Sequence, residues 1–395
     1  MSHAASCTDS RGGAGFIDRR VRGAGASEVL TYTVRLATAA EVRDARDRWN
    51  ALVLKMPLPS FFCTWEWIST WQEVFGSQYE PVILFVYRGD ELAGILPLCR
   101  REAVLTRGLM SGRILSYCGA RELYPDHLDL IAPEEDAVAC LNAIWAFLVE
   151  EYSAWDVLHL SYLWGGSGLV SAITRPDFPL SLQTTQASFA RYIHVSGTFD
   201  EFFDRFDKKF RYNVRSRRKK LMEEHGMRYI TCDAGRQPEA LDLVFALNDR
   251  RFASKGVGSS LMAPSIIDFH RRLLSALAGT DRIQLRLLGN DEQIAAASYN
   301  FVLDGRVFSY QKGIAPEWES YGPGTVLLYE LVREAFETGQ REYNFLQGGE
   351  DYKSRWAKDG RALFTASIFN RTLKGVISNA GVRSKRLLKA ALSRP

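Results

Sequence analysis

The sequence predicts a mixed α/β protein of two similar halves, each a mixed, mostly antiparallel sheet flanked by helices. Three observations carry this expectation. The first is size: 395 residues, 46% hydrophobic and 24% charged, lie within the globular range and suggest two units rather than one. The second is a repeated pattern of strand, glycine turn, acidic residue and strand. It occurs at Pro81 to Cys99 around Arg88-Gly89-Asp90, and at Arg282 to Val302 around Gly289-Asn290-Asp291. The third is the order helix, helix, strand, strand, strand, helix, strand in the second half.

The elements follow in chain order. Thr31 to Leu36 alternates as a strand, and Thr38 with Glu41 forms a capping box that opens the helix holding Trp49 and Leu52. A helix from Thr64 to Phe75 precedes the first hairpin. Short strands near Arg113 to Cys118 and His127 to Ile131, a helix from Pro133 to Glu151 and a strand from Trp155 to Ser161 complete this half. Thr198 and Glu201 make a second capping box. Phe203, Phe206, Phe210, Val214 and Leu221 then recur at helical spacing, predicting one long helix up to Gly226. Helices near Pro238 to Ser254 and Pro264 to Ala278 lead into the second hairpin. The likeness of the halves extends to Leu115-Ser116-Tyr117 and Phe308-Ser309-Tyr310, a match too short to establish duplication by itself.

A formal net charge of +4 does not announce a nucleic-acid protein. No apolar run is long enough to span a membrane, and residues 1–28 lack the apolar centre of a signal peptide and are expected to be a disordered extension. The six scattered cysteines read as reduced, buried thiols in a cytoplasmic protein. The six histidines show no metal-ligand spacing, so no metal is expected. Gly165-Gly166-Ser167-Gly168-Leu169 lacks the last glycine of a nucleophile elbow, which argues against a serine hydrolase.

Two segments could carry chemistry. Tyr321-Gly322-Pro323-Gly324-Thr325 opens an apolar helix. The amides of Gly324, Thr325 and Val326 at its positive end would suit a pyrophosphate, although an ordinary helix start reads the same way. A strand from Glu342 to Leu346 then runs into Gln347-Gly348-Gly349-Glu350-Asp351-Tyr352-Lys353, which gathers carboxylates, a phenol and a cation. The alternative is a polar loop anchored by Trp356. In addition, Lys208 to Lys220 is densely basic, with Arg211, Arg215 and Arg218 on one helical side. It reads as a phosphate clamp or as a solvated face.

Phe210-Arg211-Tyr212-Asn213-Val214-Arg215 followed by Arg217-Arg218-Lys219-Lys220-Leu221, then Tyr321-Gly322-Pro323-Gly324-Thr325 and Gly349-Glu350-Asp351-Tyr352-Lys353-Ser354-Arg355-Trp356, together resemble the bacterial acetyltransferase family of the CelD/BcsL type. That family has a BioF2-like acetyltransferase domain, belongs to the broad GNAT class and is related to the FemABX aminoacyltransferases. The resemblance covers about Leu36 to Phe369. It implies tandem GNAT-like folds over 29–190 and 191–370, the first without a working CoA site, followed by a basic tail over 371–395. It also implies that Gly322, Gly324, Thr325 and Val326 hold the pyrophosphate of acetyl-CoA or another acyl-CoA. The chain departs from the GNAT loop by placing Glu319 or Ser320 where a basic or amide residue is usual.

For catalysis the candidates are Glu350 or Asp351 as base and Tyr310 or Tyr352 as acid, with Arg211, Arg215, Arg218 and Lys353 binding the acceptor. The implied activity is N- or O-acyl transfer to an amino sugar or another polysaccharide precursor, including a lipid- or nucleotide-linked sugar, in exopolysaccharide or cellulose production. A polysaccharide synthase complex is a possible partner. The alternatives are FemABX-like aminoacyl transfer, or a non-catalytic module that binds nucleic acid or an anionic membrane. The tail, with Val376, Ile377, Val382, Leu387 and Leu388 among basic residues, reads as disordered or as a peripheral contact at the inner face of the membrane. Trp65, Trp67, Trp71 and Trp164 are candidates for stacking on sugar rings or for core packing.

Overall fold

The computed structural model describes residues 31–106, 110–253 and 263–392. The proposed extension over 1–28, with Cys7 and His3, lies outside them. The described chain opens with β1 (Tyr32–Leu36), α1 (Ala39–Asp44), α2 (Arg46–Lys55) and α3 (Trp65–Phe75). It continues through β2 (Glu80–Arg88), β3 (Glu91–Thr106), β4 (Met110–Tyr117), α4 (Glu134–Glu150), β5 (Val157–Trp164), α5 (Gly168–Ile173) and β6 (Ser181–His194). After α6 (Phe199–Phe203) and α7 (Lys208–Lys219) come β7 (Arg228–Thr231), α8 (Gln237–Ala253), α9 (Pro264–Ala276), β8 (Ile283–Gly289), β9 (Ile294–Leu303) and β10 (Arg306–Ile314). The order closes with α10 (Pro323–Glu337), β11 (Glu342–Gln347), α11 (Asp351–Trp356), β12 (Gly360–Phe369) and α12 (Leu373–Leu392).

All twelve strands form one sheet in the order β1-β2-β3-β4-β5-β12-β6-β11-β10-β9-β8-β7. Renumbering the first six strands as the last six, and the reverse, returns the same list read backwards. The chain is therefore a duplication about a pseudo-two-fold axis, with the last strand of each half exchanged: β12 lies beside β5, and β6 beside β11. The only parallel pairs among the described strands, β4 with β5 and β10 with β11, occupy equivalent places. Leu115-Ser116-Tyr117 and Phe308-Ser309-Tyr310 fall on those equivalent strands, β4 and β10. The expected boundary at residue 190 falls inside β6.

Local chemistry explains where the elements start. Both capping boxes form, at Thr38 with Glu41 and at Thr198 with Glu201. The expected long helix after Thr198 is broken, because Asp207 caps the amide of Phe210 at 2.8 Å and starts α7 afresh. The expected strand at His127 to Ile131 makes only isolated bridges, Ile95 to Ile131 and Leu128 to Leu163. The basic tail is helical over α12 rather than disordered. Ser167, the false nucleophile, caps α5 by accepting from the amide of Val170.

One core joins the halves. Phe61, before α3, stacks on Phe301 of β9 with ring centroids 4.2 Å apart, and Trp67 packs on Phe269 and Phe301. Trp67 and Trp71 are core residues with no exposed surface. The five described cysteines are buried and unbonded. A second core joins α6, α7 and α10 to β11 and Trp356.

Candidate active site

The site grows from the parallel pair β10 and β11. The two strands are in register only from Arg306 to Phe308 and Glu342 to Asn344. Beyond this they part, since β10 is bulged between Ser309 and Gln311 and Leu346 of β11 takes a φ of 58°. Tyr310 is the extra residue of the bulge, and its hydroxyl donates to the carbonyl of Leu123 at 2.9 Å. In the first half the equivalent gap between β4 and β5 is filled by buried residues 126–131 of the chain itself.

That filling loop also walls the second gap. The Asp126 carboxylate accepts from the amide of Gln347, while the Lys353 ammonium donates to the carbonyl of Gln347 at 2.5 Å. One peptide at the end of β11 is thus gripped from both sides. Lys353, its side chain 6% exposed, also meets Glu350 at 3.1 Å. The pair wraps around Gly348, whose φ of 141° is one that L side chains rarely adopt; an added Cβ would lie 2.0 Å from Glu350 Oε2 and displace that side chain.

Lys312 of β10 faces the same cluster, with Nζ 5.0 Å from the ring centre of Tyr352 and 5.7 Å from that of Phe345. Desolvation, and then the charge of Lys353, push the Lys312 ammonium down to about 7, against the opposing pull of Glu350. Desolvation pushes the Asp126 carboxyl up to about 7, although the Gln347 amide and Lys353 both pull it down. Tyr352 and Tyr310 are raised by burial first and by the neighbouring carboxylates, Glu350 and Asp126, second. Both phenols keep their protons at neutral pH. Asp351 is exposed in the first turn of α11.

After β10 a short turn at Pro316–Tyr321 leads to α10. Gly322, with φ 67°, is its N-cap and Pro323 its first residue, a combination that lacks one amide and needs a left-handed glycine. The amides of Thr325 and Val326 turn back to Gly322 O at 3.0 and 3.4 Å. The amide of Gly324 meets no acceptor among the described residues, so the free donor at this end is Gly324 rather than all three. Arg217 of α7 lies over the loop, donating from Nη1 to Thr325 Oγ1 at 3.3 Å, and a Cβ on Gly322 would fall 2.8 Å from that guanidinium nitrogen.

The other arginines of α7 are occupied differently. Arg218 binds the fully buried carboxylate of Glu330 in α10 at 2.6 Å, and Arg211 binds Asp204. Arg215 lies 4.0 Å from Asp204 and over the ring of Phe203. Arg218 therefore docks α7 on α10, and Arg217 is the arginine set over the glycine loop. A helix N-terminus, a free amide and a guanidinium are together the kinds of group that can bind phosphate oxygens. Sequence reasoning quoted Arg217 and Gln347 within their motifs without giving either a role, and did not single out Lys312 or Asp126. A concavity of about 600 Å³ beside β7 holds none of these residues.

The family model of the acetyltransferase (GNAT) domain matches residues 208–354, which contain α7, β10, α10 and β11. This segment is a GNAT acyltransferase domain. The chain is therefore an acyltransferase enzyme, with its glycine loop and parting strands inside the matched span. No curated protein matches the sequence. Among solved structures, a conserved protein of unknown function from Bacteroides thetaiotaomicron is 11% identical, covering 85% of this chain and 99% of its own at a TM-score of 0.51. The C-terminal domain (DUF2156) of an Agrobacterium fabrum protein described as a lysylphosphatidylglycerol synthetase is 11% identical, covering 86% and 96% at 0.50. FemX is 12% identical, covering 87% and 99% at 0.47. The first two share this fold across both halves.

The GNAT class uses acyl-CoA as donor, and the residues present fit such a ligand's phosphates: Gly324 offers an amide, Arg217 a guanidinium, and α10 its positive end. Among the described residues no group of three or more His, Cys, Asp or Glu is placed to hold a metal ion.

Proposed function

We propose that the enzyme transfers an acyl group, acetyl in the simplest case, from acyl-CoA to an amine or hydroxyl of an amino sugar or another polysaccharide precursor, as in the CelD/BcsL type. The observation that carries this reading is Arg217 over the Gly322 to Thr325 turn, beside the parting of β10 and β11. It supplies the basic group that the loop itself lacks.

Bound acyl-CoA would provide the thioester. On the protein's side, Lys312 is the base we assign: a neutral amine near pH 7 can take the proton of an acceptor ammonium or hydroxyl. Glu350 pairs with Lys353 at 3.1 Å, and Lys353 fixes the Gln347 carbonyl. Tyr352, half-exposed and protonated, is the acid nearest Lys312. Asp351, Arg211 and Arg215 are the residues we assign to a charged acceptor, including a nucleotide- or lipid-linked sugar. The filled gap in the first half supports a single donor site per chain.

The setting we infer is the cytoplasm or the inner face of its membrane, near exopolysaccharide or cellulose synthesis. The exposed basic face of α7 also suits an aminoacyl-tRNA donor, which is the second reading. Thiol release from acetyl-CoA, followed across amino sugars and nucleotide sugars, tests the first. Acceptor-dependent release supports it. No release with any acyl-CoA, together with transfer from aminoacyl-tRNA, replaces it with the second.

A further inference from the structure

Helix α12 is inverted for a surface helix. A helix lying on a sheet ordinarily turns its apolar side inward. Here the inward side is small and polar. Gly375 and Ser378 are buried, and Asn379 and Val382 are half-buried. Gly375 sits so close to the sheet that an added Cβ would lie 2.3 Å from Asn370 O and 2.8 Å from Asp156 O.

Hydrogen bonds fix the helix on this side. Thr372 Oγ1 donates to Asp156 at 2.7 Å and accepts from the amide of Gly375 at 3.1 Å, while Gln183 Nε2 donates to Asn379 Oδ1 at 3.3 Å. The outward side is apolar. Leu373 is 76%, Val376 56% and Ile377 44% exposed, and Ala380 is exposed with them, at spacings of three, four and seven residues. The sequence repeats that spacing eleven residues later with Leu387 and Leu388.

Charge decides what covers this face. From Asn370 to the end of the chain there are seven basic residues, Arg371, Lys374, Arg383, Lys385, Arg386, Lys389 and Arg394, and no acidic one. Arg371, Lys374, Arg383 and Lys385 are exposed. Self-pairing of two α12 helices would bring these like charges together. An anionic bilayer satisfies both features, taking the apolar side chains at the acyl boundary and the cations among its headgroups. Val104 of β3, 63% exposed on a strand against which α12 also lies, adds a further apolar side chain. Among the described residues no helix is long and apolar enough to cross a membrane, so the contact is one of lying on the surface. We propose that α12 is an interfacial anchor that seats Leu373, Val376, Ile377 and Ala380 in an anionic lipid surface and carries the acyltransferase with it.

The test is flotation of the full chain with vesicles of phosphatidylcholine alone, or with one third phosphatidylglycerol, at low and high salt. Binding is expected only with the anionic vesicles and should weaken with salt. Lys374→Glu with Lys385→Glu should reduce binding by more than tenfold, since each cation near such a surface contributes about a fivefold gain. Val376→Asp with Ile377→Asp should abolish binding and leave the melting temperature unchanged, because both side chains face solvent. Light scattering of the same samples reads self-association. Equal binding to both vesicle types, undiminished binding of the aspartate variant, or a dimer that the aspartate variant dissociates without any vesicle binding would each overturn the proposal. These outcomes are independent of whether acetyl-CoA is the donor.

Discussion

Arg217→Gln is the perturbation that isolates the phosphate site. In the unliganded protein this side chain makes one bond, 3.3 Å to Thr325 Oγ1, and meets no carboxylate among the described residues, so its loss should change stability by no more than about 0.5 kcal/mol. A hydrogen bond to a charged group contributes about 1.5–3 kcal/mol. Arg217 is exposed, which favours the lower end through solvent screening. About 1.5 kcal/mol corresponds to roughly a tenfold rise in Kd for acetyl-CoA. Calorimetric titration measures this directly, and kcat/KM for acetyl-CoA against acetyl-pantetheine, which lacks the pyrophosphate, locates it. The variant should lose about tenfold with the first donor and nothing with the second. Arg215→Gln, at a position held by Asp204, should leave donor affinity unchanged. Equal losses of Arg217→Gln with both donors would refute the assignment of Arg217 to phosphate.

Three further outcomes follow from the structure. The Lys312 amine, pushed down to about 7, should give kcat/KM a rising limb through about pH 7. Lys312→Arg, fixed in its charged form, should lose that limb and about 100-fold or more in rate, and an unchanged profile would remove Lys312 as base. Asp126 has its folded pKa raised to about 7, above an unfolded value of about 3.9. Its stabilising contribution is therefore complete below about pH 4 and lost as pH rises through about 7. Asp126→Asn should compare more favourably with the parent at about pH 8 than at about pH 5 in melting temperature, whereas a constant difference would contradict this. A chain ending at Ala357 lacks β12, the strand joining β5 to β6. It should show no cooperative calorimetric transition, while a surviving first-half transition would mean that the halves fold separately.

Much of the fold was legible because its signals are local. The capping residues Thr38 and Thr198, the glycine turns of both hairpins and the helix-start glycines each act within four residues, and each appears where the spacing put it. The exchange of β6 and β12 was not legible, because a strand's choice of neighbour depends on residues nearly two hundred positions away. The break before α7 shows two local rules competing: apolar spacing favoured a continuous helix, and the Asp207 cap prevailed.

At the site, Gly322, Gly324, Glu350, Tyr352 and Lys353 stood out through their clustering in sequence. Lys312 looks like any lysine in a strand until the structure shows it beside the rings of Tyr352 and Phe345 and the charge of Lys353. Asp126 comes from the other half and has no local signal for its contact with Gln347. Arg217 was hidden among seven other basic residues between Lys208 and Lys220. Only the docking of Arg218 on Glu330 shows which neighbour lies over the glycine loop.

The central claim is a donor site at the start of α10, and binding of acetyl-CoA to the parent and to Gly324→Glu tests it most directly. Position 324 carries the free amide and adjoins Ile314, where an added Cβ would lie 2.6 Å from Cδ1. A glutamate there places bulk and negative charge where the phosphates belong. Thermal unfolding with acetyl-CoA at 100 times its Kd should stabilise the parent by about 2.7 kcal/mol and leave the folded variant unmoved. No shift in the parent with any acyl-CoA, or an equal shift in both proteins, would contradict a donor site at this helix.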